Sequence, residues 1–327
     1  MEYKFTNYNH VHPIIRAMLI YSDYDYDPRE NVISATSIMK PTQMIVLERS
    51  NKDADRLIDI EGMIPSVGGT ALHTHLEMAL KHISKPENKH LWKKIGIDSP
   101  DELHIEMDER KEVEIDDHIV SGKFDVIYKY KKAKWQLSDL KSLSVWAVMI
   151  DIEAKKEEWI KQLSIYRYLN QDKDIDDTAM IMCWFTDWSK SDSQIKAKQG
   201  YPQSRLDVHE IKLWSLDKTY EYLKKRVADI KLGMGIYQKT GEVETGFICS
   251  KDELWQRKGG WAYYTKKTNK KASKIYDTEN EARIALSKAK DPTAFIEERK
   301  ARATRCSYCS VTQFCPQYAE MLLEGIV

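Results

Sequence analysis

The chain has 327 residues, with 51 Lys and Arg against 51 Asp and Glu for a formal net charge of zero. That length suffices for a substantial core, as two units or as one domain with a large extension. The neutral balance excludes attraction to nucleic acid by bulk charge, so an anionic partner must be drawn by a local patch.

No apolar run approaches the ~20 residues that cross a bilayer, and the first residues lack the basic, apolar, small-residue order of a signal peptide. These features predict a cytoplasmic protein with no membrane partner. Three of the five cysteines, Cys306, Cys309 and Cys315, fall within ten residues of one another. An odd number so bunched does not resemble a secreted disulfide framework and points to metal ligation.

In chain order, a Tyr/Asp-rich stretch over 21–28 precedes Ile33-Ser-Ala-Thr-Ser37, whose hydroxyls suit the cap of a helix from Ile38 with Pro41 in its first turn. Gly68-Gly69 should break the chain before a helix from Thr70 to Leu80, with Thr70 as N-cap. Leu72, Leu76, Ala79 and Leu80 form its apolar stripe, while His73 and Glu77, four apart, share another face. Strands follow over Glu112–Ile115, Ile119–Tyr130 and Trp135–Lys141, joined by a turn at Asp116-Asp117 and a lysine-rich turn. A helix over about Lys155–Leu169 comes next, then a continuous apolar run, Ala179–Thr186, typical of a strand buried on both faces. His209–Trp214 alternates as a strand, and Asp217–Gly233 reads as a helix ended by glycine. The order predicts a mixed β-sheet flanked by helices. Past residue 235 the chain turns aromatic and lysine-rich, with Trp255, Trp261, Tyr263 and Tyr264 beside Lys266, Lys267, Lys270, Lys271 and Lys274. That region suits either stacking and phosphate contacts for a single strand or a small aromatic core with a lysine surface. Thr278-Glu-Asn-Glu281 reads as a helix start. These shifts divide the chain into an N-terminal helical or irregular segment (1–60), a core (61–235) and a C-terminal extension packing on the core (236–327).

Ser138-Asp139-Leu140-Lys141 carries the chemistry. In a strand, Asp139 and Lys141 share one face while Leu140 points into the core. Phosphodiester cleavage needs an activated water, neutralisation of charge on the phosphate and a stabilised leaving oxygen, all of which a divalent cation supplies. Mg²⁺ and Mn²⁺ favour oxygen ligands and Mn²⁺ accepts imidazole. Asp125, Asp139 and the Leu140 carbonyl are suitable oxygens, and Lys141 would orient the attacking water or steady the phosphate.

Gly69-x3-His73-x3-Glu77, Gly122-Lys-Phe-Asp125, Asp139-Leu-Lys141 and Gln162-x3-Tyr166 together resemble the RecB-like branch of the PD-(D/E)xK nuclease superfamily. The resemblance implies a restriction-endonuclease-like α/β core with a cysteine-containing C-terminal extension. It implies that His73, Asp125 and Asp139 bind the metal, that Lys141 assists the water, and that Gln162 and Tyr166 support the site or contact DNA. Glu77 and Glu114 are supporting acids, Glu77 being equally suited to a structural pairing. The activity implied is a Mg²⁺- or Mn²⁺-dependent DNA exonuclease in recombination, repair or replication, in keeping with a phage-encoded enzyme in the host cytoplasm. Rival readings are a silent DNA-binding scaffold of a recombination complex and a structure-specific endonuclease. No Gly-x4-Gly-Lys-Ser/Thr motif is present, so unwinding would fall to a separate helicase or recombination partner.

Cys306-x2-Cys309-x5-Cys315 resembles the C-terminal trio of the iron–sulfur (AddB-type) nucleases, whose fourth cysteine lies upstream of the histidine motif. Here the first 182 residues contain no cysteine and Lys40 precedes Pro41 where the family places one. Three readings stand: the trio binds zinc with Cys249, Cys183 or a histidine as fourth ligand, it binds an iron–sulfur cluster with an unusual fourth ligand, or its thiols only pack. Cys183 lies in an apolar run and suits a buried thiol; Cys249 is the better fourth ligand.

Overall fold

The computed structural model describes residues 3–21, 27–107, 109–195 and 200–327, leaving most of the Tyr/Asp-rich stretch outside the described residues. The protein is mixed α/β, with several sheets and helices, and its chain forms two compact units. The larger comprises Glu2–Met39 and Asp55–Ala228; the smaller comprises Lys40–Ala54 and Asp229–Val327, together with Met1.

The larger unit contains β1 (Tyr3–Thr6), α1 (Pro13–Ile20) and β2 (Val32–Ser34); α2 (Thr42–Ser50) belongs to the smaller unit. The larger unit resumes with β3 (Arg56–Asp59), α3 (Ile64–Ile83), α4 (His90–Lys94), β4 (Leu103–Met107), β5 (Arg110–Ile115), β6 (His118–Lys123), β7 (Val126–Tyr130) and β8 (Trp135–Leu143). It continues through α5 (Val145–Leu169), β9 (Ile175–Phe185), α6 (Asp192–Ile195), β10 (Leu206–Lys212) and the first half of α7 (Leu216–Thr240). One sheet has the order β10-β9-β8-β7-β4, in which only the β8–β9 pair is parallel. A parallel pair needs a long crossover, and the 25-residue α5 provides it. A second sheet has the order β2-β6-β5.

Several elements differ from the sequence expectation. The single strand expected over Ile119–Tyr130 breaks at Phe124-Asp125, where the chain leaves β6 in one sheet and enters β7 in the other. Phe124 is fully buried at that break, so Asp125 sits on a bend rather than in a strand. Helix α5 starts ten residues early because Ser144 caps it, accepting from the Trp146 amide, and Asp187 accepts from both Ser144 and the Val145 amide. Helix α3 runs through Gly68-Gly69, since Pro65 opens it and Gly69 lies where a Cβ would stand 3.3 Å from Ser142 Oγ of β8. The helix expected from Ile38 begins instead at Thr42, with Pro41 as N-cap. Strand β9 is not buried on both faces: Ala179, Ile181, Cys183 and Phe185 are buried, whereas Trp184 is exposed. Gly233 is interior to α7 and admits α2, a Cβ there lying 3.0 Å from Val46.

In the smaller unit, β11 (Gln256–Arg257) pairs with β15 (Arg302–Ala303). Strands β12 (Gly260–Tyr264), β13 (Lys274–Tyr276) and β14 (Phe295–Arg299) form a sheet of order β13-β12-β14, on which α8 (Glu279–Ser287) packs. Thr278 and Glu281 cap α8 reciprocally, as their spacing predicts. The last helix is α9 (Pro316–Glu324). Among the described residues no helix is long and apolar enough to cross a membrane.

Candidate functional site

The break after β6 aims Asp125 at two donors. Its Oδ1 lies 3.1 Å from His73 Nδ1 on α3, and its Oδ2 accepts from the Leu140 amide of β8 at 2.8 Å. The Asp125 carboxylate, as hydrogen-bond partner, holds the His73 imidazolium above its ordinary pKa against the opposing effect of burial.

The odd-numbered face of β8 carries the second acid. Asp139 is 2% exposed, and burial leads the causes that push its carboxyl up to about 6; Lys141 opposes this and Asp125 adds to it. Lys141 Nζ lies 2.7 Å from Asp139 Oδ2, yet that oxygen has no aligned hydrogen-bond donor. The contact is thus a close ion pair on the buried Asp139 oxygen. Burial, the largest single effect, disfavours the Lys141 ammonium, but the charge and hydrogen bond of Asp139 together with the charges of Asp125 and Glu158 outweigh it and the pKa rises. Leu140, expected in the core, is only half-buried, because the deep position at this point of the strand belongs to Asp139.

Helix α5 completes the arrangement. Gln162 Oε1 accepts from Lys141 Nζ at 2.9 Å, and Gln162 Nε2 donates to the Tyr166 hydroxyl at 3.1 Å. Gly122 on β6 makes this approach possible, since a Cβ there would lie 2.6 Å from Leu169 Cδ1 and 2.9 Å from Tyr166 Cε1. His73, Asp125, Asp139, Lys141, Gln162 and Tyr166 therefore form one linked set within the larger unit. Glu77 and Glu114 do not join it. Glu77 pairs with Lys81 one turn along α3, and Glu114 is exposed on β5 opposite Ile119. The Leu140 amide, which the sequence reading passed over, is the group that fixes Asp125.

Two carboxylates beside an imidazole are donor types that Mg²⁺ or Mn²⁺ accept, although here the Asp125 oxygens meet His73 and the Leu140 amide and Asp139 Oδ2 meets Lys141. Among the described residues, no group of three or more His, Cys, Asp or Glu side chains is placed to hold a metal ion.

A second cluster lies in the smaller unit. Cys249, Cys306, Cys309 and Cys315 line one cavity of about 20 Å³, together with Gln43, Met44 and Leu254. Cys309 and Cys315 border an apolar cluster of Met44, Leu47 and Val311; Cys249 and Cys306 border another of Leu254, Ala303 and Met321. Burial pushes Cys249 up to about 12 and Cys306 up to about 11, so without a metal these thiols are protonated. Gln43, 2% exposed on α2, donates to Cys315 Sγ at 3.3 Å and accepts from the Cys249 amide at 2.7 Å. Cys315 Sγ also caps α9 by accepting from the Tyr318 amide. The upstream segment thus reaches the cysteines through Gln43, a residue the sequence reading missed although it follows Lys40-Pro41 by two positions. Cys183 stays apart, buried on β9 in the larger unit.

No protein-family model matches the sequence, and no curated protein matches it at a significant level. Among solved structures, the protein SSO0001 is similar over 62% of this chain and 79% of its own, at 16% identity and a TM-score of 0.39. A phage-related exonuclease from Haemophilus somnus 129PT is similar over 64% of this chain and 96% of its own, at 14% identity and a TM-score of 0.30. Both scores fall short of a shared fold.

Proposed function

We propose that the chain is a metal-dependent deoxyribonuclease with a RecB-like PD-(D/E)xK core, an exonuclease working on DNA ends or single strands in recombination, repair or replication. The observation that carries this reading is the linked set in which His73 meets Asp125 at 3.1 Å and Lys141 joins Asp139 at 2.7 Å to Gln162 at 2.9 Å. His73, Asp125, Asp139 and the Leu140 carbonyl would hold Mg²⁺ or Mn²⁺, which supplies charge neutralisation and a more acidic water. The Leu140 amide keeps the Asp125 carboxylate in place. Lys141 presents its ammonium to the phosphate oxygens or the attacking water, and Gln162, steadied by Tyr166, holds that ammonium in line. In-line attack by the water on phosphorus forms the new P–O bond as the ester P–O bond breaks, the leaving oxygen taking up a proton. A separate helicase or recombination protein would supply unwinding. In the smaller unit, the four thiols would hold Zn²⁺ or an iron–sulfur cluster in a structural role.

The test is incubation of end-labelled DNA with Mg²⁺ or Mn²⁺. Wild-type protein should degrade it, and Asp139→Ala should bind it without degradation. Loss of label from linear but not circular DNA identifies the exonuclease; nicking of circular single strands identifies an endonuclease. The engagement of both Asp125 oxygens by protein donors favours the scaffold reading instead, which binding without cleavage under either metal would establish.

A further inference from the structure

In the β13-β12-β14 sheet, Ala262 and Tyr264 are buried on the face covered by α8, where Tyr264 stacks on Phe295 at 4.4 Å and Ala282 is fully enclosed. Strand alternation places Trp261 and Tyr263 on the opposite face. The register adds Tyr276 opposite Trp261 and Lys274 opposite Tyr263, with Ile296 and Glu298 contributed by β14. The aromatic residues of this segment thus divide, one set into a small core and the other onto the opposite sheet face, where Trp261, Tyr263 and Tyr276 are half-buried.

The loop beside that face is strongly cationic. From Arg257 to Tyr276 the chain carries seven cations, Arg257, Lys258, Lys266, Lys267, Lys270, Lys271 and Lys274, and no acid, in a protein of zero net charge. Four of these lysines ride the exposed loop that joins β12 to β13. Asp291 senses Lys266, and Glu298 lies opposite Trp261, at the end of β12 away from the loop. Lys274 holds its ammonium 4.6 Å from the Tyr276 ring, where it can exchange the ring for a phosphate.

We propose that this face is a binding platform for single-stranded DNA, with bases stacking on Trp261, Tyr263 and Tyr276 and the lysine loop taking the phosphates. Rings on neighbouring strands lie ~5 Å apart at Cβ, and those two residues apart along a strand lie ~7 Å apart, so a base would stack on the part of each half-buried ring that faces solvent. Such stacking tolerates any sequence and requires unpaired bases, because a duplex keeps its base faces inside. The choice of DNA rests on the proposed nuclease function; the platform itself does not.

The test uses the full chain in EDTA, where cleavage is silent, and reads anisotropy of a fluorescein-labelled oligothymidylate. Trp261→Ala and Tyr276→Ala should each weaken binding roughly tenfold or more, whereas Trp261→Phe and Tyr276→Phe, which keep a π face, should restore it. Lys270→Ala/Lys271→Ala should reduce the slope of log affinity against log salt by about 1.4. A blunt duplex of the same length should bind more weakly and ignore the aromatic substitutions. Alanine variants that melt like wild type and bind equally well would overturn the proposal, as would equal binding of duplex. If Trp261→Ala does not fold, Tyr263→Ala and Tyr276→Ala decide. A protein that binds but never cleaves keeps the platform and loses the nuclease; one that cleaves with indifferent aromatic variants does the reverse.

Discussion

Lys141 and Gln162, 21 residues apart, meet at 2.9 Å, and the same amide side chain donates to Tyr166. An ammonium that also faces Asp139 at 2.7 Å is thereby fixed on two sides instead of swinging on a flexible stem. Lys141→Ala should lower cleavage by roughly 10²–10⁴. Gln162→Ala, which leaves the charge but frees it, should lower kcat by about tenfold or more with KM little changed. Tyr166→Phe should cost about 1 kcal/mol in activation energy. Steady-state kinetics on a linear substrate would check all three, and a fully active Gln162→Ala would remove the positioning role.

Gly122 explains itself by space. With Leu169 and Tyr166 already within 3 Å of a Cβ at that position, Gly122→Ala must push α5 away from β6 and carry Tyr166 with it. We expect a loss of about 1–3 kcal/mol, a fall of several degrees in Tm, and reduced cleavage. Gly62→Ala, with nothing within 4 Å, should stay within about 0.5 kcal/mol of wild type. Thermal unfolding of the two variants makes the comparison.

The His73–Asp125 pair sets a pH dependence. The folded-state pKa of His73 is raised above 6.5, so the stability this pair contributes is complete below pH 6.5 and fades as pH rises through the raised value. In metal-free protein the imidazole NMR titration should have its midpoint above 6.5, and Asp125→Asn should return it toward 6.5. If His73 ligates a cation, Mg²⁺ or Mn²⁺ must compete with its proton, and the acid limb of the cleavage profile should rise with His73 deprotonation. A midpoint unmoved by Asp125→Asn would contradict the contact itself.

Side-chain spacing made much of this arrangement readable in advance. Asp139 and Lys141 share a strand face because they are two apart, and Gln162 and Tyr166 touch because they are four apart on a helix. What spacing does not encode is long-range. The change of sheet at Phe124-Asp125 depends on where Phe124 finds a core, and the early start of α5 depends on Asp187 forty-three residues from its cap. Glu77 has the spacing of a site residue but takes the nearer partner, Lys81. The motif glycines Gly69 and Gly122 reflect the close approach of a helix to a strand, a reason invisible until Ser142, Tyr166 and Leu169 are placed beside them.

The cysteine quartet gives the remaining prediction. Four thiols line one small apolar cavity, with Gln43 and the Tyr318 amide donating to Cys315, and the proposed cation would have to displace thiol protons that burial holds on. Protein purified without air should carry either about one zinc per chain or iron and sulfide with visible absorption, as measured by elemental analysis and spectroscopy. Cys249→Ser should deplete that metal as severely as Cys306→Ser, whereas Cys183→Ser should leave it bound, because Cys183 belongs to the β9 core. Gln43→Leu should retain the metal but weaken its hold, since only a donor to Cys315 and a tether on the Cys249 amide are lost. Full metal content in Cys249→Ser would make the fourth ligand some other group, and metal-free wild-type protein would reduce the quartet to packing.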